Sequence, residues 1–318
     1  MNMAGKAFAV QRSAPSERTS AASTSKSIWF VVAGAALWGV DPLFRILLLK
    51  VLTSSQIVLF EHVLLLFYAV PVLWIHRAEL RGLRTRHLFA LLFIGWGGSA
   101  IATILFTTAF AYGNPNSVLL LQKLQPLFAI LMARLVLREA LPRLFPLLLI
   151  MALVGAYLLT FGWTVPISEW TDVLALSSLL SIGAAALWGG STVMGRLLLD
   201  RMQFETITAL RFTVALPLLI ATTWIEGAGW QPPEHFPNWL ALSGNLLLQA
   251  FVPGLLSLLL YYRGLANTKA SYATLGELAF PAVGVLINWL VFHQPLSLAQ
   301  LCGFAFIWIV FFYISRQR

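Results

Sequence analysis

The chain is predicted to be an all-α polytopic membrane protein of ten transmembrane helices, built as two inverted five-helix repeats. Three observations predict this. First, 59% of its 318 residues are hydrophobic and only 10% are charged, against roughly 45–50% and about 25% in ordinary soluble domains. A water-soluble core has no room for so much apolar side chain, whereas a bilayer lets the outer surface be apolar as well. Second, apolar runs of about 20 residues, long enough to cross a membrane, follow one another along the chain. Third, the chain repeats itself. Ala35-Ala36-Leu37-Trp38-Gly39 returns 150 positions later as Ala185-Ala186-Leu187-Trp188-Gly189, and the same register sets Leu47 over Leu197, Ile57 over Ile207 and Trp74-Ile75 over Trp224-Ile225. A second block returns at a spacing of 155, with Leu120 over Leu275, Pro126 over Pro281 and Leu135-Val136 over Leu290-Val291. The wider spacing fits a longer loop in the second half, where Gly227–Asn238 lies.

Residues 1–27 are rich in Ser, Ala and Thr, carry Lys6, Arg12, Arg18 and Lys26, and show no helical hydrophobic period. They read as a disordered basic cytoplasmic tail; a transit peptide would share the same acid-poor composition. The first repeat, 28–162, holds apolar runs at about 28–49, 56–75, 88–111, 117–137 and 144–162. Its first run contains the Trp-Gly pair, its third the small residues Gly95, Gly97 and Gly98 that let helices approach closely, and its fourth Pro126. An external linker, 163–173, leads to the second repeat, 174–314, with runs at about 174–199, 206–225, 239–262, 270–292 and 297–314. Residues 315–318 form a short cytoplasmic end. Pro42, Pro71, Pro126, Pro217, Pro253 and Pro281 fall inside runs, where each removes a backbone hydrogen bond. Because Pro126 and Pro281 are equivalent, a kink there belongs to the repeated unit itself.

Lysine and arginine in the short loops set the orientation. Arg77, Arg81, Arg84 and Arg86 follow the second run, Arg138 and Arg143 the fourth, Arg201 the sixth, Arg263 and Lys269 the eighth, and Arg316 and Arg318 end the chain. The alternate loops are poor in base; Lys50 is the exception. Both termini are therefore expected in the cytoplasm, with the chain in the cell (inner) membrane. Five crossings per unit force the second unit to enter in the opposite sense. In agreement, Arg134, Arg138 and Arg143 correspond to the uncharged or weakly basic Trp289, His293 and Leu298. The net charge of +9 thus points to a cytoplasmic membrane face, not to nucleic acid.

An ionisable side chain at mid-membrane costs on the order of 3 kcal/mol or more and faces a cavity or a partner. Asp41, Glu61, His62, Lys123, Arg211 and Glu277 are such residues. Glu277 holds in the ninth run the position that Gln122 holds in the fourth, so polar groups of the two halves are expected to meet around a pseudo-two-fold axis, where carriers of this build place their substrate. With Trp38, Trp188 and Tyr112 at its edge, such a chamber suits a small zwitterionic or anionic organic molecule: ammonium and guanidinium hold a carboxylate, and rings cover the apolar parts. The expected substrate-binding set is Trp38, Asp41, Tyr112, Gln122, Lys123, Trp188, Arg211 and Glu277. Glu61 and His62 are the coupling candidates, with protons as the coupling ion; because both lie early in the second run, the alternative is that they are exposed at the membrane interface. The competing reading of these charges is buried ion pairs that fix helix register, while Arg45, Arg134 and Arg263 lie nearer run ends and are expected to snorkel.

Leu37-Trp38-Gly39, its copy at Leu187–Gly189, Arg211-Phe212, and the two blocks Gln122–Leu141 and Glu277–Leu296 resemble the EamA repeat of the drug/metabolite transporter superfamily. The resemblance covers about 28–314 and rests on the ordered set in duplicate, not on one motif. It implies a ten-helix bundle working by alternating access, commonly exporting amino acids or other small metabolites. Two departures stand out. Glu61-His62 occupies the place where the first repeat often has arginine and an aromatic or aliphatic residue, and Gln294 replaces the acid present at Glu139. The expectation is therefore a secondary transporter of an amino acid or related metabolite, acting as monomer or homodimer in the lipid bilayer. The alternative is a lipid or lipid-linked sugar flippase. A membrane-embedded enzyme has less behind it: no Asp-x-x-Asp, His-x-x-x-His or Gly-x-Ser-x-Gly occurs in a run or cytoplasmic loop, and the five histidines have no metal-ligand spacing. No cofactor and no metal are expected, and without a phosphate-cradling glycine loop neither is ATP. Cys302, the lone cysteine, reads as packing.

Overall fold

The computed structural model describes residues 17–112, 115–165, 176–227, 229, 236–290, 293 and 295–316, with most side chains from Ser27 onward. Ten apolar helical runs are found among them: α1 Ser27–Arg45, α2 Ser54–Ile75, α3 Thr85–Ala109, α4 Leu120–Leu137, α5 Phe145–Phe161, α6 Leu176–Leu199, α7 Phe204–Glu226, α8 Asn238–Leu265, α9 Ala270–Ile287 and α10 Leu298–Arg316. Nine reach 18 residues or more, and α5 has 17, which at 1.5 Å per residue still covers about 26 Å of a core about 30 Å thick. The helix of α1 begins at Glu17, so 17–27, assigned above to the tail, is helical. Once a long helix is nucleated, adding Ser, Ala and Thr residues costs little. Residues 1–16, 166–173 and 317–318, which complete the expected tail, linker and end, lie outside the described residues.

The two repeats pack by exchanging equivalent contacts. Helix α1 lies along α8 and α9, and its copy α6 lies along α3 and α4; α2 pairs with its own copy α7, and α5 with α10. Backbone irregularities repeat as well. A stretch of π-helix spans Phe93–Ile101 in α3 and Ala250–Leu256 in α8. The only two non-glycine residues with positive φ among those described are Arg138 (φ 55°) and His293 (φ 53°), equivalent at the 155 spacing, where a left-handed residue ends α4 and follows α9.

The equivalent prolines interrupt their helices as the sequence predicts. A proline lacks the N–H and its ring pushes against the carbonyl four residues back. For Pro126 that carbonyl belongs to Gln122, and for Pro281 to Glu277. Helix α4 accordingly breaks at Lys123-Leu124 between Pro115–Gln122 and Gln125–Met132, and α9 tightens to a 3₁₀ turn over Glu277–Ala279. By the same rule Pro42 releases the Trp38 carbonyl, and α1 breaks at Gly39-Val40 before resuming at Asp41. Trp74, Ile75, Trp224 and Ile225 stay exposed at the ends of α2 and α7, the belt position favoured by tryptophan at a membrane interface.

Candidate functional site

Helix interruptions bring the polar residues together, because they fall where side chains and free carbonyls can both turn inward. Around Glu277 three neutral donors converge: Gln125 Nε2–H on Oε2 (2.5 Å), Thr192 Oγ1–H on Oε1 (2.8 Å) and Tyr261 Oη–H on Oε1 (2.5 Å). Gln122 Nε2–H donates in turn to Gln125 Oε1 at 3.1 Å. The network therefore joins α4, α6, α8 and α9. The Lys123 ammonium lies 4.1 Å from the centroid of the Phe280 ring, a cation–π contact worth about 0.5–2 kcal/mol. Glu277, Gln122 and Lys123 are all buried.

Two aromatic pairs flank this centre in matched positions. Trp38 packs on Tyr261 and Trp188 on Phe106, each with ring centroids 5.1 Å apart; the members correspond at the 150 and 155 spacings. Trp188 Nε1–H is held by Gly98 O at 3.0 Å. Arg211 reaches across from α7, donating from Nε to Ser99 Oγ (2.7 Å) and from Nη1 to Tyr262 Oη (2.9 Å). Tyr261 and Tyr262 are neighbours with rings 5.6 Å apart, so one dipeptide serves both Glu277 and Arg211.

Asp41 and Glu61 belong to a second network. Arg45 donates from Nε and Nη2 to Asp41 at 2.6 and 2.7 Å and from Nη2 to Glu61 at 3.4 Å, and Gln249 donates to Asp41. Asp41 and Glu277, expected to border one chamber with Lys123, thus sit in two hydrogen-bond networks, since the break in α1 turns Asp41 towards Arg45, one helical turn on, while α4 and α9 turn their polar groups towards α6 and α8. Arg45 does not snorkel: its side chain is 23% exposed and is held by the two acids. His62 stands apart from both, with Nδ1 2.8 Å from Val58 O; a carbonyl only accepts, so Nδ1 carries the proton. Tyr112 ends a helix by its backbone, and its side chain lies outside the described residues, as does Gln294. Glu139, the acid that Gln294 replaces, accepts from the Ala270 and Ser271 amides and so caps the start of α9.

Sequence reasoning passed over Thr192, Tyr261, Tyr262, Ser99 and Gln249 as site residues. Gln249 carried a signal, an amide inside an apolar run. Tyr261 carried another, its equivalence to the aromatic Phe106.

Ten apolar helical runs among the described residues, in two repeats that close buried polar groups at matched helix breaks, have the build of a membrane carrier. The chain belongs to the EamA-like transporter family, which matches it twice, over residues 25–161 and 175–316; it is a secondary transporter and not an enzyme. It is 31% identical over 296 residues, 92% of this chain and 98% of the relative, to "Riboflavin transporter ImpX" of Fusobacterium nucleatum subsp. nucleatum. It is 28% identical over 267 residues, 83% of this chain and 88% of the relative, to "Riboflavin transporter" of Brucella anthropi. A solved crystal structure shares its fold with a TM-score of 0.72 at 16% identity, covering 90% of this chain and 95% of that one.

Proposed function

We propose that the chain carries riboflavin across the cell (inner) membrane, with both termini in the cytoplasm. The observation that carries this reading is the full-length similarity to two proteins named as riboflavin transporters. The chemistry of the site supports it. Riboflavin is an uncharged, flat, three-ring molecule with an imide edge and a polyol tail. Trp38, Tyr261, Trp188 and Phe106 supply ring faces. Gln122, Gln125, Thr192 and Glu277 supply the donors and acceptors that an imide edge and hydroxyls need. Asp41 is already matched by a guanidinium and Glu277 by neutral donors, so an uncharged solute strands neither of them. This departs from the amino-acid expectation, which asked the site for cations and anions awaiting a zwitterion.

The test is counterflow in proteoliposomes: vesicles loaded with unlabelled riboflavin and given labelled riboflavin outside, beside a panel of amino acids. Riboflavin exchange that amino acids do not compete with supports the proposal. Amino-acid exchange without riboflavin exchange overturns it. Sidedness of the reconstituted protein reads the direction of transport in the same experiment.

A further inference from the structure

Glu61 occupies in α2 the position that Arg211 occupies in α7, and its surroundings hold one acid too many. Two carboxylates, Asp41 and Glu61, face one guanidinium, that of Arg45. Asp41 grips Arg45 with both oxygens and also accepts from Gln249, while Glu61 keeps only one long contact with Arg45, at 3.4 Å. Position separates the two acids further. Asp41 stands in the first turn of the helical segment Asp41–Leu48, where the positive end of the helix dipole favours an anion. Glu61 lies inside the uninterrupted helix Ser54–Ile75 and has no such support.

The other polar groups on the surrounding elements do not balance the excess. His62 is turned to Val58 O on its own helix, and from α7 Arg211 is turned to Ser99 and Tyr262. At the ends of the α2–α7 pair, Tyr68 meets the Glu205 carbonyl and Glu226 accepts from Thr53 and Ser55. From α3, Thr107 accepts from Ser54. That leaves Gln249 of α8, whose amide reaches Glu61 as well as Asp41. Its Oε1 is buried and has no donor among the described residues. An ionised carboxylate only accepts, whereas a carboxylic acid offers an O–H.

We propose that Glu61 is a proton-binding site: its carboxylate takes up one proton to become the neutral acid, which leaves Asp41 and Arg45 as a balanced pair and supplies Gln249 Oε1 with a donor. Loading and release of this proton make transport respond to a pH gradient. The transport half rests on the riboflavin reading above; the proton site does not.

Two readouts keep them apart. In infrared difference spectra of the purified full-length protein between acid and alkaline solution, a protonated-carboxyl band is expected that Glu61→Gln removes. In proteoliposomes, a proton gradient of one pH unit is expected to drive up to about tenfold accumulation of riboflavin for one coupled proton, and Glu61→Gln to lose that response. An unchanged band in Glu61→Gln, or a gradient response equal to that of the wild-type chain or absent from it, overturns the proposal. Should Glu61→Gln fail to fold, Asp41→Asn decides: one acid then faces one guanidinium, the band is expected to vanish, and its persistence overturns the proposal. A protein that gives the band but moves no riboflavin refutes the substrate and not the site.

Discussion

His62 and Phe212 hold the same position in the two repeats and meet each other edge to face, with ring centroids 5.5 Å apart and planes at 87°. Residues related by a two-fold axis touch one another only where the axis passes between them. The axis therefore runs through the contact of α2 with α7, and the neighbouring equivalents Glu61 and Arg211 face opposite networks on either side. An acid in one half and a base in the other make the pseudo-symmetric bundle electrically unsymmetrical at its centre.

Gly39 and Gly189, the glycines of the two Trp-Gly pairs, stand at close joints between the repeats. A Cβ on Gly189 would lie 2.7 Å from Gln125 O and 2.8 Å from Ala129 N, and one on Gly39 would lie 2.8 Å from Phe280 O; Gln125 and Phe280 are themselves equivalent. Backbone cannot give way as a side chain does, so Gly189→Ala and Gly39→Ala are each expected to cost about 1–3 kcal/mol. Gly244→Ala, with open space around the added carbon, is expected to leave stability unchanged or raise it. Thermal unfolding in detergent measures all three.

Glu277 is held by three donors, and an amide in its place would turn its own N–H₂ towards one of them. Glu277→Gln is expected to lose about 1–3 kcal/mol and to lower the riboflavin exchange proposed above. Because Tyr261 shares the same oxygen with Thr192, the double variant with Tyr261→Phe is expected to show a coupling of about 0.5–3 kcal/mol in a stability cycle. Strict additivity would place the two residues in separate networks.

Arg211 spans two hydroxyls in different directions, from Nε to Ser99 and from Nη1 to Tyr262. A lysine ammonium is a point donor and does not reproduce that fork. Arg211→Lys is expected to reduce exchange by roughly tenfold, a loss of about 1.4 kcal/mol, and Tyr262→Phe by less. Equal rates in wild type and Arg211→Lys would make the positive charge alone sufficient.

Glu79, in the loop after α2, closes on the start of α7. Partial burial works to raise its pKa, but the Gln203 N–H (2.9 Å) and His76 Nδ1 (3.1 Å) hold the carboxyl below its ordinary range. A lowered pKa in the folded state means that the contribution is complete above the ordinary carboxylate range and is lost as pH falls through the folded value. Hydrogen exchange at Gln203, corrected for its intrinsic chemistry, is therefore expected to quicken in acid, and Glu79→Gln to remove that dependence. A Gln203 amide equally protected across the range would show that the loop is held by other contacts.

Composition and the two spacings were sufficient for the class of protein, the number of crossings and the inversion, since a bilayer demands long apolar helices and an odd number of crossings per copy leaves no other arrangement. The proline pair foretold the breaks in α4 and α9, because a missing N–H is a covalent fact that no neighbour can restore. What packs beside Asp41 was decided only in three dimensions. Its sharing of Arg45 with Glu61 and its bond from Gln249 depend on how α1, α2 and α8 are rotated about their own axes. That rotation is fixed by close contacts between distant segments, such as Gly39 on Phe280 and Trp38 on Tyr261. A sequence period names the residues on one face of a helix; which partner that face meets, and so which charges cancel, follows from the packing of the whole bundle.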